Sequence, residues 1–266
     1  MHPETRHLRT VLITGASSGI GKALALAYAA PGLCLILIGR NAERLADTAQ
    51  QAMRQGADVV VGAIDVRDRA AMSAWIAEHD KAHPIDLVIA NAGITTGLAP
   101  GDLTEDPEAV RAILATNLIG VLNTIEPLIA PMTARGHGQI ACVGSIAGLH
   151  GLHYAPAYCM TKSAVHAYME SIRGRLEKRG VLVSLIIPGF VKTPLNDSID
   201  TFKPFELSDA KAAALIRRGL TRGKAVVAFP LPLYLLARFG RLLPSRFYDK
   251  IMTGVSAHVP QTQERI

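Results

Sequence analysis

Tyr158 and Lys162 bracket the segment Tyr158-Cys-Met-Thr-Lys162, a spacing that sets a phenol and an ammonium on one face of a helix. An ordinary tyrosine titrates near 10, too high for efficient proton transfer at neutral pH, and a neighbouring cation favours the tyrosinate and lowers that value. Taken alone, this spacing is common and more often describes a surface pair than a proton-transfer site. Ser145 separates the two readings. It ends the run Gln-Ile-Ala-Cys-Val-Gly-Ser145, at the carboxyl edge where parallel sheets bind ligands, and its hydroxyl can hold a carbonyl or alkoxide oxygen for the tyrosine.

A second constellation lies near the start of the chain. Thr14-Gly15-Ala16-Ser17-Ser18-Gly19-Ile20-Gly21 directly follows an apolar run and opens a helical segment. Small residues let the backbone approach a pyrophosphate, and the helix N-terminus offers free N–H groups and a favourable dipole. The glycines are spaced GxxxGxG rather than GxGxxG. At the end of the next apolar run stands Gly39-Arg40-Asn41, with no carboxylate to hold an adenosine ribose. Arg40 fits a 2′-phosphate through its planar fork, or it is a solvated strand-end arginine. The pattern favours NADP(H) over NAD(H).

The elements that must position these residues are short runs rich in Val, Ile and Leu: Thr10–Thr14, Leu33–Ile38, Val59–Ile64, Ile85–Ala90, Gln139–Val143, Val181–Ile187 and Ala225–Phe229. They are continuous rather than alternating, as in strands buried on both faces of a parallel sheet. Between them the pattern predicts a helix from Gly19, then Ala42–Arg54 behind Asn41 as N-cap, and Arg69–Lys81. Further helices are predicted over Pro107–Met132 behind Asp106, Ala155–Arg179 and Ser208–Arg222. Such alternation predicts a Rossmann-type α/β fold, a doubly wound, mostly parallel seven-stranded sheet with helices on both faces. With no linker or repeat in sight, residues 1–266 read as one domain.

Composition narrows the function. The chain has 266 residues, 49% hydrophobic and 19% charged, which excludes a disordered chain. Its net charge of +6 comes from 28 basic and 22 acidic side chains, of which residues 201–266 hold 11 and 4. The surplus is thus confined to the last quarter, which argues against a nucleic-acid binder. Cys34, Cys142 and Cys159 form no closed disulfide set and have no metal-site spacing, so no metal is expected. The N-terminus lacks the apolar core of a signal peptide, and the 13-residue apolar stretch Ala225–Ala237 is shorter than a membrane span. A cytoplasmic chain, at most peripheral to a membrane, is the expectation.

Taken together, these motifs resemble the short-chain dehydrogenase/reductase family, over about Leu8 to Thr193. The resemblance rests on Thr14–Gly21, Asp65-Val66, Asn91-Ala92-Gly93, Asn117, Ser145, Tyr158-xxx-Lys162 and Pro188-Gly189-Phe190-Val191-Lys192-Thr193. Ala90 stands where the family often has a second asparagine. The resemblance implies that Asp65 and Val66 contact the adenine and that Asn91, Ala92 and Gly93 line the cofactor site. It makes Tyr158 the general acid or base, Lys162 the holder of the nicotinamide ribose, and Ser145 the group that orients the substrate oxygen. Asn117 matches the residue that bends its helix and holds a proton-relay water. Pro188, Gly189, Val191 and Thr193 match the segment around the nicotinamide. Gly15, Ser17, Ser18, Gly19, Ile20, Gly21 and Arg40 complete the expected cofactor set. The implied reaction is hydride transfer between a nicotinamide and a carbonyl or secondary alcohol carbon, in a homodimer or homotetramer. A non-catalytic NADP-binding redox sensor is the alternative, disfavoured because a sensor needs no proton relay.

Substrate choice is expected to lie in three places. His150 and His153 fall in the loop between Ser145 and Tyr158, as polar substrate contacts or as solvated loop residues. Residues 194–222 are expected to form a lid, whose Phe202, Pro204, Phe205 and Leu207 favour an apolar small-molecule substrate. Residues 230–266 form a short helical C-terminal extension. There Leu233, Tyr234, Leu235, Leu236, Phe239, Leu242 and Leu243 make an apolar stripe opposite Arg238 and Arg241, and Arg246 to Ile251 continue the mixture. This tail is expected to cap the substrate pocket, to pack on its own domain or another subunit, or to lie peripherally on an anionic membrane.

Overall fold

The computed structural model describes residues 8–98, 101–240, 243–244 and 246. The strands are β1 (Thr10–Thr14), β2 (Cys34–Ile38), β3 (Asp58–Gly62), β4 (Leu87–Ala90), β5 (Gly138–Val143), β6 (Val181–Pro188), β7 (Val191–Lys192), β8 (Leu207–Ser208) and β9 (Val226–Phe229). Among the described residues they make a seven-stranded sheet in the order β3-β2-β1-β4-β5-β6-β9 and a separate pair, β7 with β8. Every pairing is parallel. The small β7–β8 pair is absent from the sequence reading. Two-residue strands leave no periodicity to detect.

The continuous apolar runs follow from burial on both faces. Along β1, Val11 and Ile13 face one core while Leu12 faces the other. The first core is closed by α1 (Gly19–Tyr28), α2 (Ala42–Arg54) and α8 (Asp209–Thr221), through side chains such as Leu24, Leu45 and Ile216. The second is closed by α3 (Arg69–Ala82), α5 (Gly120–Arg135) and α6 (Pro156–Glu177), through Met72, Ile125 and Val165. Caps follow the expected chemistry. Asn41 Oδ1 accepts the Arg44 N–H at 2.9 Å and Asp68 Oδ1 the Ala71 N–H at 3.0 Å.

At the amino edge of the sheet, Asp86 Oδ2 accepts the N–H groups of Arg9 and Thr10, and its carbonyl accepts from Gln139. Arg135 on α5 pairs with Asp80 on α3 at 2.7 Å. These bonds hold β1, β4 and β5 in register, so their carboxyl ends emerge together. Strand order reverses between β1 and β4, and the crevice above that point is where open α/β sheets bind ligands.

One predicted element differs. The expected single helix over Pro107–Met132 is α4 (Pro107–Leu114), a π-helical stretch Ala115–Ile119, and then α5. Asn117 sits in the wide turn, fully buried. Its Oδ1 accepts the Ile94 N–H and its Nδ2 donates to the Ile94 carbonyl, both at 2.8 Å. The extra residue in the turn lets the side chain reach a loop that a regular helix would miss. This stretch, Pro107–Arg135, is long and apolar enough to cross a membrane, but 50% of its apolar window is buried within the fold.

Candidate functional site

The floor of the crevice is the turn from β1 into α1. Gly15 and Gly19 have φ of +67° and +51°, a left-handed backbone that favours glycine. A Cβ on Gly21 would overlap the Gly15 carbonyl oxygen, so the turn closes only without one. Asn91 holds it from the next strand, its Nδ2 donating to the Thr14 carbonyl at 3.0 Å and the Gly15 carbonyl at 3.3 Å. Thr14 Oγ1 in return accepts the N–H groups of Asn91 and Ala92. Ser18, the N-cap of α1, makes no side-chain cap. The first-turn N–H groups therefore face the crevice, a ready site for an anion.

A cavity of about 990 Å³ runs from this turn in both directions. At one end lie Arg40, Asn41, Asp65 and Val66. Arg67 grips Asp65 through Nε at 2.9 Å and Nη2 at 2.6 Å. Burial raises the Asp65 carboxyl, but the Arg67 hydrogen bonds and the charges of Arg67 and Arg40 outweigh it and leave it below its ordinary value. This end is thus a neutralised carboxylate under an exposed guanidinium. The glycine cradle and the open helix end fit the pyrophosphate of an extended dinucleotide.

At the other end Ser145, Tyr158 and Lys162 line the same cavity. Gly144 makes the last ladder bond of β5, its N–H donating to Ile186 O at 2.8 Å, so Ser145 stands just beyond the strand. Ser145 Oγ accepts the Ala147 N–H at 3.1 Å, which leaves its own hydrogen to donate elsewhere. Lys162 is buried, with Nζ donating to the Val143 carbonyl at 2.9 Å and lying 5.7 Å from the Tyr158 ring centroid. Burial lowers the Lys162 pKa. Burial likewise pushes Tyr158 up to about 12, against the opposing pull of the Ser145 hydroxyl. The sequence reading expected a tyrosine lowered by its lysine. Here burial is the largest influence on the phenol and acts in the opposite direction.

The remaining residues of the sequence reading divide into lining and support. Gly15, Ser17, Ser18, Gly19, Ile20, Asn91, Ala92, Gly93, Pro188, Gly189, Val191 and Thr193 line the cavity, as does His150. Gly21 and Asn117 lie behind it as supports. His153 is not among the lining residues. It is exposed and meets Tyr154 edge-on at 5.3 Å, while Tyr154 takes the lining position. Cys159 accepts the Leu152 N–H at 3.3 Å, and burial pushes its thiol up to about 11, so it is a packing residue.

Sequence reasoning missed Glu105, whereas α9 (Leu231–Gly240) takes one of the places expected for the tail, over the pocket. Glu105 Oε2 accepts the Ala157 N–H at 2.7 Å and so caps α6 from 52 residues away, one residue before Tyr158. Its spacing from the helix carried no cap signal, because only tertiary packing brings it there. Burial raises its carboxyl pKa. Leu233, Leu236, Ala237 and Gly240 of α9 line the cavity, while Leu231, Leu236 and Phe239 are all exposed. Arg241, Leu242 and Phe247 to Ile251 of the expected tail lie outside the described residues. Between pH 10 and about 12 an unfolded tyrosine ionises while native Tyr158 keeps its proton, so stability falls as pH rises across that window. Tyr158→Phe is expected to flatten this decline in urea midpoints measured across the window; an unchanged slope contradicts it.

A family model described as short chain dehydrogenase matches residues 9–204. An uncharacterized oxidoreductase of Myxococcus xanthus is 36% identical over 242 residues, 91% of this chain and 95% of that protein. The short-chain dehydrogenase of Sphingobium yanoikuyae, solved with NADPH, shares the fold with a TM-score of 0.76 at 24% identity, over 94% of this chain and 97% of its own. A 3-oxoacyl-[acyl-carrier protein] reductase of Brucella melitensis, solved with NAD, is 27% identical with a TM-score of 0.71, over 85% and 90%. The sheet order, the crevice and these likenesses agree: the chain belongs to the short-chain dehydrogenase family of oxidoreductases.

Proposed function

We propose that this chain is an NADP(H)-dependent oxidoreductase that moves a hydride between the nicotinamide and an apolar ketone or secondary alcohol, with Tyr158 as general acid and base. The observation that carries the reading is one cavity joining the glycine turn to Ser145, Tyr158 and Lys162. The cofactor supplies the hydride and, when oxidised, a positive ring. Thr14–Gly21 would hold its pyrophosphate and Arg40 its 2′-phosphate. Ser145, with its acceptor side occupied by Ala147, donates to the substrate oxygen and holds it beside the phenol. Tyr158 gives its proton to the forming alkoxide during reduction, and Lys162 steadies the phenolate left behind.

The far wall supports an apolar substrate. Ile146, Leu152, Phe190, Leu195, Ile199 and Phe202 line the cavity together with Leu233 and Leu236 of α9. Residues 194–222 act in this reading as the lid, and the assembly is a homodimer or homotetramer. The exposed side of α9, with Leu231 59% and Phe239 60% accessible beside Arg238, supports a second reading in which the enzyme works at a lipid surface.

In an assay following NADPH absorbance with a panel of alkyl and aryl ketones, Tyr158→Phe is expected to lose at least about a hundredfold in kcat while still binding NADPH. Activity near that of the parent rejects the assignment. Calorimetry is expected to show tighter NADPH than NADH binding, with Arg40→Ala weakening NADPH about tenfold and NADH by less than about twofold. Equal affinities in the parent reject the Arg40 argument. For the lipid reading, the full chain is expected to sediment with anionic but not zwitterionic vesicles, and Phe239→Glu to reduce that binding. A parent chain that stays in the supernatant excludes it.

A further inference from the structure

His166 lies one helical turn beyond Lys162 on α6, so Tyr158, Lys162 and His166 follow one another along one face at four-residue intervals. It is buried, 6% exposed, and the Ser145 N–H donates to its Nε2 at 3.3 Å. That N–H is the first beyond the β5 ladder, and among the described residues no strand carbonyl receives it. Buried backbone donors need an acceptor, and here the imidazole provides one. The surroundings are built for the ring. A Cβ on Gly144 would overlap His166 Nε2, and one on Gly148 would come within 2.7 Å of Cε1. Glycines flanking Ser145 on both sides thus make room for one imidazole. Ser163, the residue after Lys162, adds a bond from its Oγ to the Gly148 carbonyl at 2.9 Å.

We propose that His166 is a positioning residue that fixes Ser145 for catalysis by accepting its backbone N–H at Nε2. This rests on the reading of Ser145 and Tyr158 given above. To accept, Nε2 must be unprotonated, which puts the ring proton on Nδ1. The bond sets the backbone at Ser145, and the Ala147 N–H then sets the direction of its hydroxyl. Without the acceptor, the segment from Gly144 to Gly148 must turn its buried N–H elsewhere, and the Ser145 hydroxyl moves away from the phenol.

The test compares His166→Gln, whose Oε1 can reach the place of Nε2 and accept, with His166→Leu, which cannot. Ser145→Ala and Tyr158→Phe are run alongside, using NADPH and the best ketone of the panel as probe. The expected result is a kcat about tenfold or more below the parent in His166→Leu and within about threefold of it in His166→Gln, with NADPH affinity unchanged in both. If Ser145→Ala and Tyr158→Phe lose turnover while His166→Leu keeps it, the positioning role is overturned and the proposed function stands. If Ser145→Ala and Tyr158→Phe keep turnover, the proposed function itself falls. A measurement on the parent protein is independent of whether any variant folds: imidazole 15N shifts at the assay pH are expected to show His166 with Nδ1 protonated and Nε2 bare. A proton on Nε2 overturns the proposal.

Discussion

A buried ammonium is the constraint on which the site depends. Lys162 is 4% exposed, and its Nζ donates to the carbonyl of Val143, the last residue of β5. Removing a charge from water is costly unless it is held by hydrogen bonds, so the lysine binds α6 to the strand end. Ser163 and His166 repeat the attachment at Gly148 and Ser145. Glu105 steadies the start of the same helix at Ala157. The phenol of Tyr158 lies within this clamped region. Its distance to the Ser145 hydroxyl is set by two elements fastened to each other rather than by a mobile loop.

The cofactor half is built on a different principle. Here the backbone does the positioning, and side chains serve to hold the backbone. Gly15 and Gly19 take left-handed angles, Gly21 leaves room for the Gly15 carbonyl, and Asn91 fastens the turn from the neighbouring strand. Asn117 does the same for the loop after β4 by engaging both polar groups of the Ile94 backbone. The Asn117 carboxamide donates and accepts at once, whereas that of Asn91 donates to two carbonyls, and both bridge segments with unpaired backbone groups.

Much of this was legible along the chain. The strands of the main sheet can be read from their apolar runs to within a residue or two at most ends, because burial on both faces demands uninterrupted Val, Ile and Leu. The glycine turn and the Tyr158–Lys162 pair were legible for the same reason: their chemistry depends on spacing within one local segment. The division of α4 from α5 was not legible as a break in periodicity, since the π-helical turn is stabilised by Ile94 from another loop. His153 shows the converse limit. Its place in the loop beside Ser145 suggested a substrate contact, but the local turn points it to solvent and presents Tyr154 instead.

By itself, then, the sequence determined the parallel α/β architecture, the cradle at Thr14–Gly21 and the phenol–ammonium pair, because each depends on neighbours along the chain and on backbone geometry. Only the tertiary structure decided the burial of the Tyr158 phenol, the cap that Glu105 places on α6, the acceptor that His166 offers Ser145 and the face that α9 turns to the cavity. These depend on burial and on contacts between segments remote in the chain. Desolvation and distance are properties of the packed molecule, and no spacing within a single segment encodes them.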